Sequence, residues 1–157
     1  MSSPKIGNKA PVFKLKNQNN ETVALKDFVG KKNVVIYFYP KALTPGCTTQ
    51  ACGIRDTQKE LADRDTVVFG VSPDPSDKLQ KFITKHDLNF DLLSDLDHAL
   101  ADKYGVWCLK KFMGKEYMGI VRTTFVINKE SRLVGVLDSF KTSNHHQQLI
   151  SCLDQQD

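Results

Sequence analysis

Residues 33–39 read Asn-Val-Val-Ile-Tyr-Phe-Tyr, an unbroken run of β-branched and aromatic side chains closed by Pro40. A strand with one face in water alternates polar and apolar residues, and this one does not. Its composition predicts a strand buried on both faces, as in a sheet covered by helices on each side. Residues 66–72, Thr-Val-Val-Phe-Gly-Val-Ser, form a second such run. Between them, Thr44-Pro45 has the form of an N-cap followed by proline at the first helical position, and a helix is expected from there to about Arg64. Strand, helix and strand in this order predict a parallel pair with a crossover helix.

The remaining pattern extends this unit. Val12–Lys16 and Glu21–Leu25 flank a polar turn and predict an N-terminal hairpin. Ser76–His86 carries Leu79, Phe82 and Ile83 at helical spacing. A short strand is expected at Phe90–Leu93, and a short helix at Asp97–Tyr104 stopped by Gly105. Val121–Ile127 and Leu133–Leu137 flank Asn128–Ser131 as a second hairpin, and a helix from Asn144 to Leu153 closes the chain. The expected class is α/β with the thioredoxin-like arrangement: a central mixed sheet flanked by helices, with the N-terminal hairpin as an extension. The 157 residues fit one domain, 1–157.

Apolar residues make up 40% and charged residues 25%, with a formal net charge of +4. No apolar run is long enough to span a bilayer, and the N-terminus leads into no hydrophobic segment. A cytoplasmic protein without a membrane partner is therefore expected. The pairs Lys31-Lys32 and Lys110-Lys111 are isolated, which argues against a nucleic-acid footprint. In a reducing compartment close cysteines are more often catalytic, redox-active or metal-binding than structural.

Cys47 and Cys52 are such a pair. With Thr44 as N-cap, Cys47 is the third helical residue, near unpaired backbone N–H groups and the positive end of the helix dipole, which favours a thiolate. On an ideal helix the Cα atoms of residues five apart are about 8.6 Å apart, beyond the ~7 Å that a disulfide tolerates. The thiols therefore either never join or join only when the first turns unwind. This spacing suits a sequence in which Cys47 is oxidised to sulfenic acid and Cys52 condenses with it. A peroxidase also needs donors aimed at the departing hydroxide; Thr44, first-turn N–H groups and an arginine are the candidates.

The stretch Tyr-Phe-Tyr-Pro-Lys-Ala-Leu-Thr-Pro-Gly-Cys-Thr-Thr-Gln-Ala-Cys-Gly-Ile-Arg-Asp, residues 37–56, resembles the peroxiredoxins of the bacterioferritin comigratory protein or peroxiredoxin-Q group. The family pattern of proline, three residues, threonine, two residues and cysteine is met by Pro40, Thr44 and Cys47. Residues 72–82, 92–107, 112–127 and 140–146 also look like their counterparts. The resemblance implies Cys47 as peroxidatic cysteine and Cys52 as resolving cysteine in an intramolecular scheme. It implies that Thr44 hydrogen-bonds the peroxide, that Pro40 shields the thiolate from water, and that Arg122 supports the thiolate and polarises the peroxide. Arg55 and Arg64 are the other nearby arginines; Arg55 lies about 12 Å up the helix by rise alone. Many relatives carry glutamate where this chain has Gln50, so a carboxylate role is absent there.

The implied activity is reduction of hydrogen peroxide and organic hydroperoxides without haem, flavin or metal. The implied reductant is thioredoxin or a glutaredoxin, and the implied assembly a monomer. A thiol–disulfide exchanger is the rival enzyme reading, distinguished by disulfide reduction without peroxide preference. A redox sensor or holdase is the rival from another class, distinguished by a partner bound only in the oxidised form. A metal site on Cys47 and Cys52 lacks a convincing further ligand pair. Cys152 is expected in a small apolar role and Cys108 in a loop. His145-His146 are expected at a helix start or on the surface. Asp74, Asp95 and Asp97 are expected in turns and caps.

Overall fold

The computed structural model describes residues 4–155. A seven-stranded sheet runs through the molecule. Its centre is β3 (Asn33–Phe38), paired in parallel with β4 (Thr66–Ser72), which pairs in parallel with β5 (Leu92–Ser94). On the other side β3 pairs antiparallel with β8 (Thr123–Ile127), and β8 with β9 (Leu133–Leu137). The N-terminal hairpin, β1 (Lys14–Asn17) and β2 (Thr22–Ala24), adds to the far edge through β5, so the order is β2-β1-β5-β4-β3-β8-β9. The sheet is mixed, as the residue order predicts.

The run at 33–39 explains the layering. Val34, Ile36 and Phe38 point to one face, where they meet Phe13, Leu100, Tyr104 and Phe125. Val35, Tyr37 and Tyr39 point to the other, where they meet Ala51, Ile54, Phe82 and Leu149. Both sets are almost fully buried, because successive strand side chains alternate between faces and each face has its own apolar cover. Helices α1 (Pro45–Arg55), α3 (Ser76–His86) and α5 (His145–Asp154) contribute to the second core, and α4 (Ala99–Lys103) to the first.

Two expectations require correction. The helix expected to reach Arg64 ends at Arg55, and a separate short helix, α2, occupies Gln58–Ala62. The break falls at Asp56-Thr57, where the Thr57 hydroxyl donates to the Gly53 carbonyl at 2.7 Å. A threonine that bonds back to the preceding turn competes with helix continuation. Second, residues 107–120, outside the predicted elements, form a separate two-stranded sheet: β6 (Trp107–Phe112) and β7 (Lys115–Ile120). Cys108 therefore sits in a strand and not in a loop. Its thiol donates to the Gly105 carbonyl at 3.4 Å.

Candidate active site

Chemistry in an open α/β sheet gathers at the carboxyl ends of the parallel strands. Pro40 follows β3 at that end, and the chain then turns through Leu43 at φ +68° into α1. Asp74, which follows the end of β4, holds this turn. Its Oδ2 accepts the Ala42 N–H at 2.7 Å and the Ser72 hydroxyl at 2.8 Å, and the Lys78 ammonium lies 3.5 Å from Oδ1. Asp74 is a turn residue, as expected, and it also fixes the segment that carries Thr44. Asp95 and Asp97 cap α4: Asp95 accepts the N–H groups of Leu100 and Ala101, and Asp97 that of Ala99. Burial raises the Asp95 carboxyl above its ordinary range despite those bonds.

Thr44 occupies the N-cap position of α1 in extended backbone, with Pro45 first in the helix. Its hydroxyl does not cap the helix. It donates to the Lys41 carbonyl at 2.9 Å, which orients the oxygen and leaves its lone pairs as acceptors.

Cys47 lies in the first turn and is 1% exposed. The Arg122 guanidinium, from the two-residue link between β7 and β8, donates from Nη2 to Cys47 Sγ at 3.2 Å. Arginine stays charged at all working pH values, so a full positive charge faces the sulfur. The second amino group, Nη1, donates to Gln50 Oε1 at 3.0 Å. Gln50 is 1% exposed, one turn beyond Cys47. A neutral acceptor there holds the guanidinium in place without cancelling its charge. Gly46 makes the approach possible, since a Cβ at this position would stand 3.1 Å from Arg122 Nη2.

The structure thus brings together Cys47, Arg122 and Gln50 and places Thr44 and Pro40 on the segment leading into the same turn. Arg55 and Arg64 go elsewhere: Arg55 to Asp56 and the His86 carbonyl, Arg64 to Asp154. Cys52 is partly buried in the same helix, five residues from Cys47, and both thiols are free. Cys152 is half-buried against the core, and burial raises its thiol pKa. Among the described residues no three His, Cys, Asp or Glu side chains group as metal ligands.

Sequence reasoning passed over Gln50 as a positioning group, because only its distance to Arg122 reveals it. It placed His145 at a helix start or on the surface. This residue opens α5, as expected, but is fully buried and not on the surface. Its Nε2 lies 2.7 Å from Thr124 Oγ1, and its ring packs between Phe140 and Tyr37. Burial, with smaller contributions from His146 and Arg122, pushes its pKa down from 6.5 to about 3. The unfolded ring takes up its proton near 6.5 and the folded ring only near 3. The unfolded chain therefore binds the extra proton throughout that window, and stability falls as pH drops through it. The contribution is at most about 5 kcal/mol across the whole window. His145→Gln should lose stability near neutral pH through altered packing, yet its unfolding free energy should change less between about pH 7 and about pH 4 than the wild type's. Denaturant melts of both proteins at the two pH values check this.

Comparison with known proteins gives a consistent result. The AhpC/TSA family profile matches residues 6–136. A bcp peroxiredoxin sequence from Haemophilus influenzae is 55% identical over 153 residues, covering 98% of both chains. Peroxiredoxin Bcp of Escherichia coli is 49% identical over 153 residues, covering 98% of this chain and 97% of its own. The crystal structure of peroxidoxin BcpB from Mycobacterium tuberculosis superposes with a TM-score of 0.85 at 34% identity, over 96% of this chain and 97% of that one. The fold, the near-complete coverage and these identities together place the chain in the AhpC/TSA family, as a peroxiredoxin of the Bcp group.

Proposed function

We propose that this protein is a thiol peroxidase whose peroxidatic group is Cys47 and whose resolving group is Cys52. The observation that carries the reading is the 3.2 Å contact between Arg122 Nη2 and Cys47 Sγ in the first turn of α1. The sulfur attacks the outer oxygen of hydrogen peroxide or an organic hydroperoxide. An S–O bond forms, the O–O bond breaks, and the departing oxygen leaves as hydroxide or alkoxide and takes up a proton. Cys47 is then a sulfenic acid. Arg122 faces the charge that develops on the peroxide, Gln50 holds the guanidinium, and the Thr44 oxygen accepts the peroxide O–H. Pro40, with no N–H to bind water, shields the sulfur.

The Cys52 thiol then attacks the oxidised sulfur, forming the disulfide and releasing water. Both cysteines lie within the helix that runs from Pro45 to Arg55, and the ideal separation of about 8.6 Å exceeds the disulfide limit. Resolution therefore requires α1 to open locally. A dithiol reductant, thioredoxin or a glutaredoxin, restores the two thiols by exchange. Intact mass measurement with peptide mapping after one equivalent of peroxide tests the pairing. A link between the peptides carrying 47 and 52 is expected, with Cys108 and Cys152 still reduced. An unlinked pair would overturn the resolving assignment. Cys52→Ser should consume about one equivalent, accumulate sulfenic acid at Cys47, and lose reductant-driven turnover; dimedone labelling and a peroxide electrode read these separately.

A further inference from the structure

The β6–β7 hairpin stands apart from the main sheet and has no role in the chemistry above. Phe112 pairs with Lys115, so Met113 and Gly114 alone form the turn. Their φ angles are +51° and +80°. Two central residues with positive φ are those of a type I′ turn, whose first position favours asparagine, aspartate or glycine. A methionine there is disfavoured by its backbone. Its side chain lies in water, Met113 being 86% exposed and Phe112 beside it 67%. The chain thus places an exposed apolar side chain at a turn position whose backbone favours other residues.

The surroundings indicate what the tip meets. Lys111 and Lys115 flank it beside the single acid Glu116, so the tip carries a net positive charge. Glu116 pairs with Lys111 at 3.5 Å, and the Lys110 ammonium donates to the Ile120 carbonyl at 2.8 Å. Further back, Leu109 and Met118 face each other across the strands and are both exposed. The apolar groups therefore sit at a convex point with cations behind it. A protein partner would need a preformed pocket to receive such a point. A lipid interface is soft, receives apolar side chains at the headgroup–acyl boundary, and attracts lysines when its lipids are anionic.

We propose that the tip of the β6–β7 hairpin docks on an anionic lipid surface, with Phe112 and Met113 at the headgroup–acyl boundary and Lys111 and Lys115 over the lipid phosphates. No helix among the described residues is long and apolar enough to cross a membrane. The expectation of no membrane partner rested on that property, and a peripheral contact does not require a spanning segment. The contact uses none of the side chains of the candidate site, so its test needs no peroxidase assay.

The test is flotation of the full chain with phosphatidylglycerol vesicles, with phosphatidylcholine vesicles as the comparison. Wild type should float with the former, less with the latter, and less in high salt. Met113→Asn should lower vesicle partitioning by about tenfold or more. Because asparagine suits the turn, the same variant should raise Tm by roughly 2–4 °C. Loss of folding cannot then account for loss of binding. Phe112→Ser should weaken partitioning in the same direction. Failure of the wild type to float with phosphatidylglycerol, or unchanged flotation of Met113→Asn, overturns the proposal.

Discussion

Cys47→Ser is expected to abolish catalysed peroxide consumption, lowering kcat/KM by at least about 10⁴-fold. A serine hydroxyl stays protonated at neutral pH and is a poor nucleophile toward peroxide oxygen, so the guanidinium has no anion to support. The fold should survive. The side chain is 1% exposed, serine is nearly isosteric, and the Arg122 donor still has an oxygen to meet. The expected result is a folded, inactive protein, read by peroxide consumption beside a thermal melt. Normal turnover by this variant would remove the basis of the mechanism.

Arg122→Gln is expected to lower kcat/KM for peroxide by roughly 10²–10³-fold, the usual effect of removing one donor aimed at developing charge. The loss should depend on the substrate. Alkylation by iodoacetamide requires a nucleophilic sulfur but breaks no O–O bond, so it should slow much less than peroxide reduction. Comparing the two rates separates support of the thiolate from polarisation of the peroxide. An equal loss in both would assign Arg122 to the sulfur alone. Gln50 also loses its partner in this variant, because Nη1 is the donor that reaches Oε1.

The parts of the fold legible from the sequence are those set by composition along a short run. The strands at 33–38 and 66–72 announce themselves because burial on both faces leaves no polar position. Thr44-Pro45 marks the start of α1 for an equally local reason. The break at Asp56-Thr57 was hidden, since a hydroxyl bond back to Gly53 accompanies it and neither glycine nor proline stands there. The β6–β7 hairpin was hidden too. Its turn residues, Met113-Gly114, lack the usual signal, and its exposed strands do not alternate cleanly. At the site, Cys47 was visible from its place in the helix and from the family pattern. Arg122 came from the family pattern alone, because 75 residues separate it from the sulfur it touches. Gln50 and His145 are defined by partners across the fold, 72 and 21 residues away, and no local pattern encodes such distances.

Helix α1 has eleven residues, among them two glycines and two β-branched threonines. A peptide of that length and composition has almost no helicity of its own in water. Its coil is a posture imposed by neighbours, through Cys47, Gln50, Ala51 and Ile54 pressed against the sheet. The Cys47 side chain is therefore one of the few pegs that hold the segment in shape. On the proposed mechanism, an oxygen added to that peg would crowd a socket that leaves the sulfur 1% exposed. The break after Arg55 gives α2 its own footing, apart from α1. On the proposed mechanism, the residue that meets the oxidant and the segment that must open lie in the same three turns of chain.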